Sequence, residues 1–369
     1  MRGCARFITS ILAIALILTL PLSLLIFNIG SVVFNRELAK NVLTEIVTES
    51  DLIPAALEWY SERRAQQRVD TGVALPNVDE PDIVQLMDFM ALNDWRDIKT
   101  EVLTDEILTG WVSITVDGVY DWLDSEDRVP QITWEMKPFI DQVNTDHGVH
   151  SIEIAYNTLP PCTEEQIKDF KTRLAAAPPG TEVLYNLCEF PDPWREDQLS
   201  DYLESLQDLV ENIPVKFELT QETSQAEDPE GVGPKVLKAQ LQLLRTIYPL
   251  VLLVPATLLL LILLVGIRSL TSLSRWWGIP LTLGGLFSLI LTLVYRPVVT
   301  ALLASGPLSE VPSAVQTEAI QAILQLAAEV FRPMLIQSLV IAVVIGLDLV
   351  IVGGVIGRRQ GNKKVSAVQ

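Results

Sequence analysis

Tyr248–Ile267 reads YPLVLLVPATLLLLILLVGI, a run without a single charge, held between Arg245 and Arg268. A helix rises about 1.5 Å per residue, so a run of this length measures about 30 Å, the thickness of a bilayer's hydrocarbon. The stretch predicts a membrane-crossing helix and divides the chain. The segment on its N-terminal side, back to Asn35, is rich in acids, whereas the segment on its C-terminal side is mostly apolar.

Three more runs share its character. Phe7–Ile29 comes after Arg2 and Arg6. It is longer than the apolar core of about 7–15 residues in a cleavable signal, and no Ala-x-Ala site comes after it, so it reads as an uncleaved signal anchor. Gly278–Tyr295 is bounded by Arg275, Trp276 and Trp277 on one side and by Tyr295 and Arg296 on the other, the residues that membrane interfaces prefer. Leu335–Ile356 precedes Arg358, Arg359, Lys363 and Lys364. With four spans, Arg2, Arg6, Arg268, Arg275 and the four C-terminal bases share one face, against Arg296 and Arg332 in the short opposite loop. The bias of basic residues towards the cytoplasm then predicts a cell-membrane protein with both termini cytoplasmic.

The expected fold class is a multi-pass α-helical membrane protein with four transmembrane helices, one and then three, and a mainly helical α+β extracytoplasmic domain between the first and second. The expected divisions are a cytoplasmic N-terminus and first span in 1–34 and an acidic extracytoplasmic domain in 35–240. Three spans come next in 241–357, at about 248–267, 278–295 and 335–356, with an amphipathic outer-loop helix over about 313–332. A basic cytoplasmic tail occupies 358–369.

Charge supports the split. The chain's net −19 averages −26 over residues 35–240 and +7 over the rest. A domain at −26 repels nucleic acid and anionic headgroups, so nucleic acid is excluded as a partner. No Asn-x-Ser/Thr acceptor occurs in 35–240, which favours a prokaryotic cell membrane.

Helical signals dominate the acidic domain. Asn35 is a good cap for a helix with Leu38, Val42, Leu43, Ile46 and Val47 on one stripe. Ser50 can cap a second, with Ile53, Leu57 and Tyr60 inward and Arg63, Arg64 and Arg68 at a basic end that suits the helix dipole. Gly72, Pro76 and Pro81 mark Val69–Pro81 as a loop. Asp94 opens a helix through Val102, Trp111–Leu123 reads as a helix, Thr163-x-x-Gln166 is a capping-box start, and Leu199–Ile213 carries another apolar stripe. Ile132–Met136 and Val215–Leu219 alternate at the period of half-buried strands that pair with each other. Glu222–Pro234 reads as a tether.

Few residues point to chemistry. Cys162 and Cys188, alone in the domain, are expected to form a structural disulfide, worth roughly 3–4 kcal/mol for a loop of that length. His147 and His150 would share a helix face, but Gly148 weakens a helix there and no second ligand pair stands out, so they read as surface residues. Asp117, Asp121, Asp124, Glu126 and Asp127 lack the calcium-loop spacing and read as a solvated face. Asp348, the one charge inside a span, is the candidate intramembrane polar site; such a residue can mark a transport or gating path, or it can be protonated or bonded to Thr282 or Ser288. Gly284–Gly285 and Gly353–Gly354 would let helices approach, Pro249 and Pro255 would kink the second span, and Pro333 would turn the chain into the fourth.

No His-Glu-x-x-His, Gly-x-Ser-x-Gly, phosphate-loop or dinucleotide fingerprint is present, so neither an enzyme nor a cofactor is expected. One span, a large outer domain and three further spans is similar in layout to the permease subunits of MacB-type ABC transporters and to FtsX-like proteins. No motif is shared, and the connection Arg268–Trp277 is short for an element that engages an ATPase, so no family is assigned. The leading expectation is a membrane-anchored extracytoplasmic binding or scaffold protein, or an envelope-complex subunit, with the lipid bilayer and other membrane subunits or self-association as partners. The alternative is a transport-related subunit or a small oligomeric channel.

Overall fold

The structure, a computed structural model, describes residues 2–71, 82–178, 183, 185–219, 234–267, 269–309 and 311–356. The tether, most of the Val69–Pro81 loop, Arg268 and the C-terminal tail expected from the sequence lie outside the described residues. The chain forms two compact units. One comprises Met1–Val42, Asp228–Ser309 and Ile320–Gln369; the other comprises Leu43–Glu227 and Glu310–Ala319.

The first unit is built on four helices long and apolar enough to cross a membrane: Ala5–Val33 (within α1, Arg2–Val33), Pro234–Gly266, Thr271–Ser305 and Ser313–Ile356, whose first residues, to Ala319, belong to the second unit. All are longer than the apolar runs within them, because hydropathy marks the part suited to lipid and not the helix ends. The fourth, at 44 residues, is about 66 Å long. It runs unbroken through Pro333, so that proline does not turn the chain. A proline ring removes one backbone donor, and a long helix held on both sides carries that loss without breaking. Pro249 lies in a tightened 3₁₀ turn, Tyr248–Leu252, between two α-helical stretches.

The first helix packs against the second and the third, and the third against the later half of the fourth. Leu16, Leu20, Leu24, Ile262, Leu281 and Met334 fill the contacts. Glycines set the spacing. A Cβ on Gly285 would lie 2.8 Å from the Ala342 Cβ, and one on Gly346 would lie 2.5 Å from Thr282 Oγ1. Gly30 leaves room for the Tyr248 ring, which stacks on Phe34 at 5.5 Å. Gly353 meets Ser274, whereas Gly354 has nothing within 4 Å and makes no close approach.

The second unit is a helical assembly with one small ribbon. Its elements include α2 (Arg36–Glu49, whose last residues belong here), α3 (Leu52–Thr71), α4 (Asp82–Leu86), α5 (Leu92–Val102), α6 (Asp105–Asp124), α7 (Lys137–Val143), α8 (Asp146–Tyr156), α9 (Glu164–Ala176) and α10 (Trp194–Glu211). Ile83, Leu86, Met90, Trp95, Ile152, Tyr156 and Tyr202 form the main core, and Val102, Val143 and Val210 a second.

Local signals explain the ends. The Leu38 amide donates to Asn35 Oδ1, and the Leu52 amide to Ser50 Oγ. At α9 the Thr163 and Gln166 side chains cap each other's amides. Helix α5 starts two residues before Asp94, which instead accepts from the Ala91 amide as the third residue of the first turn. Tyr60 points outward at 63% exposure, whereas Ala55 and Ser61 are buried. Helix α3 continues to Thr71, so Val69–Thr71 are helical and Arg64 lies inside the helix, where it bonds to the Val84 carbonyl and Asp88.

The two alternating stretches pair antiparallel as β1 (Thr133–Glu135) and β2 (Lys216–Glu218), with Trp134 opposite Phe217. The ribbon lies on α6 because Gly118 leaves room for Ile132. Trp134 stacks on Trp111 at 5.2 Å and donates its indole N–H to Thr115 Oγ1.

Candidate functional site

The membrane-type helices hold two polar features of different kinds. Asn28 is 1% exposed, donates to the Leu24 carbonyl of its own helix and donates to Gln337 Oε1 at 2.7 Å. Gln337 returns a bond to Asn28 Oδ1 at 3.4 Å. This amide pair ties the first helix to the fourth and leaves neither side chain unbonded in an apolar setting, where that costs several kcal/mol. Asn28 is missed by a search for charge alone; an Asn inside an apolar run is the signal that finds it.

Asp348 behaves otherwise. The residues of the fourth helix that meet the third are Ala342, Gly346, Val350 and Gly353 with its Ser274 contact. Asp348 lies two positions beyond Gly346, about 200° around a helix, and is exposed. It therefore does not bond Thr282 or Ser288: those hydroxyls donate to Gly278 O and Gly284 O of their own helix. Exposed Val344 (58%), Ile351 (53%) and Val355 (47%) share the Asp348 face.

In the acidic unit, a cavity of about 480 Å³ is lined by Thr48, Ser50, Asp51, Arg96, Lys99 and Asp105, among others. Arg96 clamps Asp51 with two bonds, Nε to Oδ1 at 2.8 Å and Nη2 to Oδ2 at 2.5 Å. That clamp holds the Asp51 carboxyl below its usual range. Lys99 is 8% exposed and donates from Nζ to Thr48 O at 2.8 Å and Ser50 O at 3.1 Å, capping the carbonyl end of α2. Burial pushes its pKa down from 10.5, partly offset by Asp105 and Asp51. The charged groups here serve one another and the backbone, which suits a structural joint.

Cys162 and Cys188 form the expected disulfide, 26 residues apart with Cα atoms 4.8 Å from each other. Beside it, Tyr156 and Gln198, both fully buried, make a polar hub. The Tyr156 hydroxyl donates to Gln198 Oε1 and accepts from the Phe190 amide, while Gln198 Nε2 donates to Cys188 O. Burial pushes the Tyr156 hydroxyl up, and that of nearby Tyr185 to about 12, assisted by Asp201 and Asp197. The cysteines are visible in the sequence but this hub is not, since a Tyr and a Gln 42 residues apart carry no pattern.

His147 and His150 do lie on a helix, α8, despite Gly148. A Cβ there would run into the Val143 carbonyl, so this glycine lets α7 and α8 meet closely. His147 Nδ1 lies 2.6 Å from Glu101 Oε2, and His150 Nδ1 lies 3.5 Å from Glu153 Oε2. Among the described residues no group of three His, Cys, Asp or Glu side chains is placed to hold a metal.

No protein-family model matches the chain, and neither any curated protein nor any solved structure matches it.

Proposed function

We propose that this chain is a non-catalytic scaffold of the cell membrane, with residues 35–240 outside the cytoplasm, both termini inside, and a larger membrane assembly as its setting. The observation that carries the reading is the phase of Asp348. An ionised carboxylate facing lipid at a span's centre costs about 2.5–3.5 kcal/mol on insertion scales. A second membrane protein, or a second copy of this chain, that packs along Val344, Asp348, Ile351 and Val355 and supplies a donor removes that cost. The acidic unit supports the same reading, because Lys99, Tyr156 and Gln198 are bonded within it and hold a shape in place, although the buried amide of Gln85 has no hydrogen-bond partner among the described residues.

The test is mild extraction from the native membrane, then identification of whatever stays bound. A stoichiometric membrane partner is expected, retained by the wild type and lost from Asp348→Leu while the variant keeps its helical circular dichroism. A wild type that purifies as a lone monomer overturns the proposal. An ATPase as the retained partner moves the reading to a transport subunit.

A further inference from the structure

The first unit has a second cavity, of about 740 Å³, lined by Arg6, Ser10, Ser269, Ser272, Arg275 and Trp276, among others. Its location is set by the helix ends. Ala5 lies in the first turn of the first helix, Gly266 ends the second and Thr271 lies at the start of the third, and all three residues line the cavity. Three span ends converging in one place put the cavity at the level where hydrocarbon gives way to water.

Its chemistry is one-sided. Arg6 and Arg275 bring two guanidinium groups, and among the described residues no carboxylate lines the cavity and neither arginine has an acidic partner. Most of the hydroxyls are committed. Thr9 donates to Ala5 O, Ser10 to Arg6 O and Ser272 to Gly266 O. Ser269 and Thr271 share one bond between them, which leaves one hydroxyl donor to spare. A cavity with two uncompensated cations and a spare donor suits an oxyanion, and guanidinium binds phosphate oxygens in a fork.

The depth of the cavity distinguishes among phosphates. It opens where apolar helices end, and Phe7 (68% exposed), Ile11 (51%) and Leu264 (72%), which do not line it, make the neighbouring helix surfaces apolar as acyl chains require. Trp276 adds an indole of the kind that settles at headgroup depth.

We infer that this cavity binds the phosphodiester of an anionic glycerophospholipid, with the headgroup against Arg6 and Arg275 and its tails towards the apolar helix surfaces. The two guanidiniums disfavour a zwitterionic lipid, whose ammonium they repel. The orientation proposed above decides which leaflet supplies the lipid, but binding itself does not depend on it.

The experiment uses the purified full-length protein, delipidated in neutral detergent and titrated with phosphatidylglycerol, phosphatidylcholine or inorganic phosphate, with bound lipid counted by native mass spectrometry. Wild type is expected to retain phosphatidylglycerol over phosphatidylcholine. Arg6→Gln and Arg275→Gln should each weaken that binding about fivefold, while Arg332→Gln, far along the sequence from this cavity, leaves it unchanged. Equal retention of the two lipids by wild type overturns the inference without any variant. So does saturable binding of inorganic phosphate with no lipid preference, or undiminished phosphatidylglycerol binding by a folded Arg6→Gln/Arg275→Gln double variant.

Discussion

Reducing the disulfide, or replacing it as Cys162→Ala/Cys188→Ala, should loosen one lobe of the acidic unit and leave the apolar helices alone. The bond closes a loop of 26 residues. In the chain-entropy treatment, closing a loop of that size contributes about 3.5 kcal/mol at 25 °C, equivalent to about 300-fold in the opening equilibrium. The lobe is defined by its contacts: Cys188 is 1% exposed beside Phe170 and Phe190, and the Phe170 ring stacks on Tyr185 at 4.7 Å.

Backbone bonds also pin the loop ends, with the Cys162 amide donating to Glu189 O and the Glu189 amide to Pro160 O. The sulfur bridge is therefore one of several ties, and about 300-fold is the ceiling of its effect. Hydrogen exchange reads this directly, because the Phe190 amide is held by the buried Tyr156 hydroxyl and exchanges only when the lobe opens. Protection of Phe190 and of the α9 amides should fall by one to two orders of magnitude on reduction, with the helices of the first unit unaffected. A fall of less than about threefold would refute the reasoning: the backbone ties alone would then close the loop.

Two further predictions rest on single side chains. Gly346→Leu forces a side chain into the place of Thr282 and should cost roughly 1–3 kcal/mol in detergent unfolding, whereas Gly354→Leu, with nothing within 4 Å, should be silent. Lys99→Met keeps the buried stem but abandons two carbonyls, for a loss of about 1–3 kcal/mol in denaturant titration. Because the folded-state pKa of Lys99 lies below 10.5, the unfolded chain holds more protons just under that pH, and wild-type stability should gain from rising pH there relative to Lys99→Met.

The division into acidic and apolar parts was legible because hydropathy and charge are sums over many residues, and sums survive ignorance of the fold. Capping was legible where it is local: Asn35, Ser50 and the Thr163–Gln166 box each act within three residues. The pairing of β1 with β2 was legible from alternation, since two such short stretches have only each other to bond. Whatever depends on helix phase or on distant partners stayed hidden. Pro333 carries the usual sign of a helix end, yet the helix continues, because a local rule yields to packing over a long element. Gly148 looks like a weakness in α8 until the packing is seen, when its missing Cβ proves to be what lets the Val143 carbonyl approach.

Asp348 shows how helix phase bears on the proposed scaffold role where composition is silent. A carboxylate that served a path inside the bundle would stand on the face of the fourth helix that meets the third, in line with Ala342, Gly346 and Gly353. That face is closed by small residues in tight contact, too close for water to pass between. The polar pair on the first helix, Asn28 with Gln337, is likewise spent on joining helices. The remaining charge faces away, on a stripe otherwise made of Val344, Ile351 and Val355. Interior seams of glycine and a carboxylate on the outer face are the arrangement that the proposed joining from outside requires, and a pore through the single chain would need the polar groups turned inward.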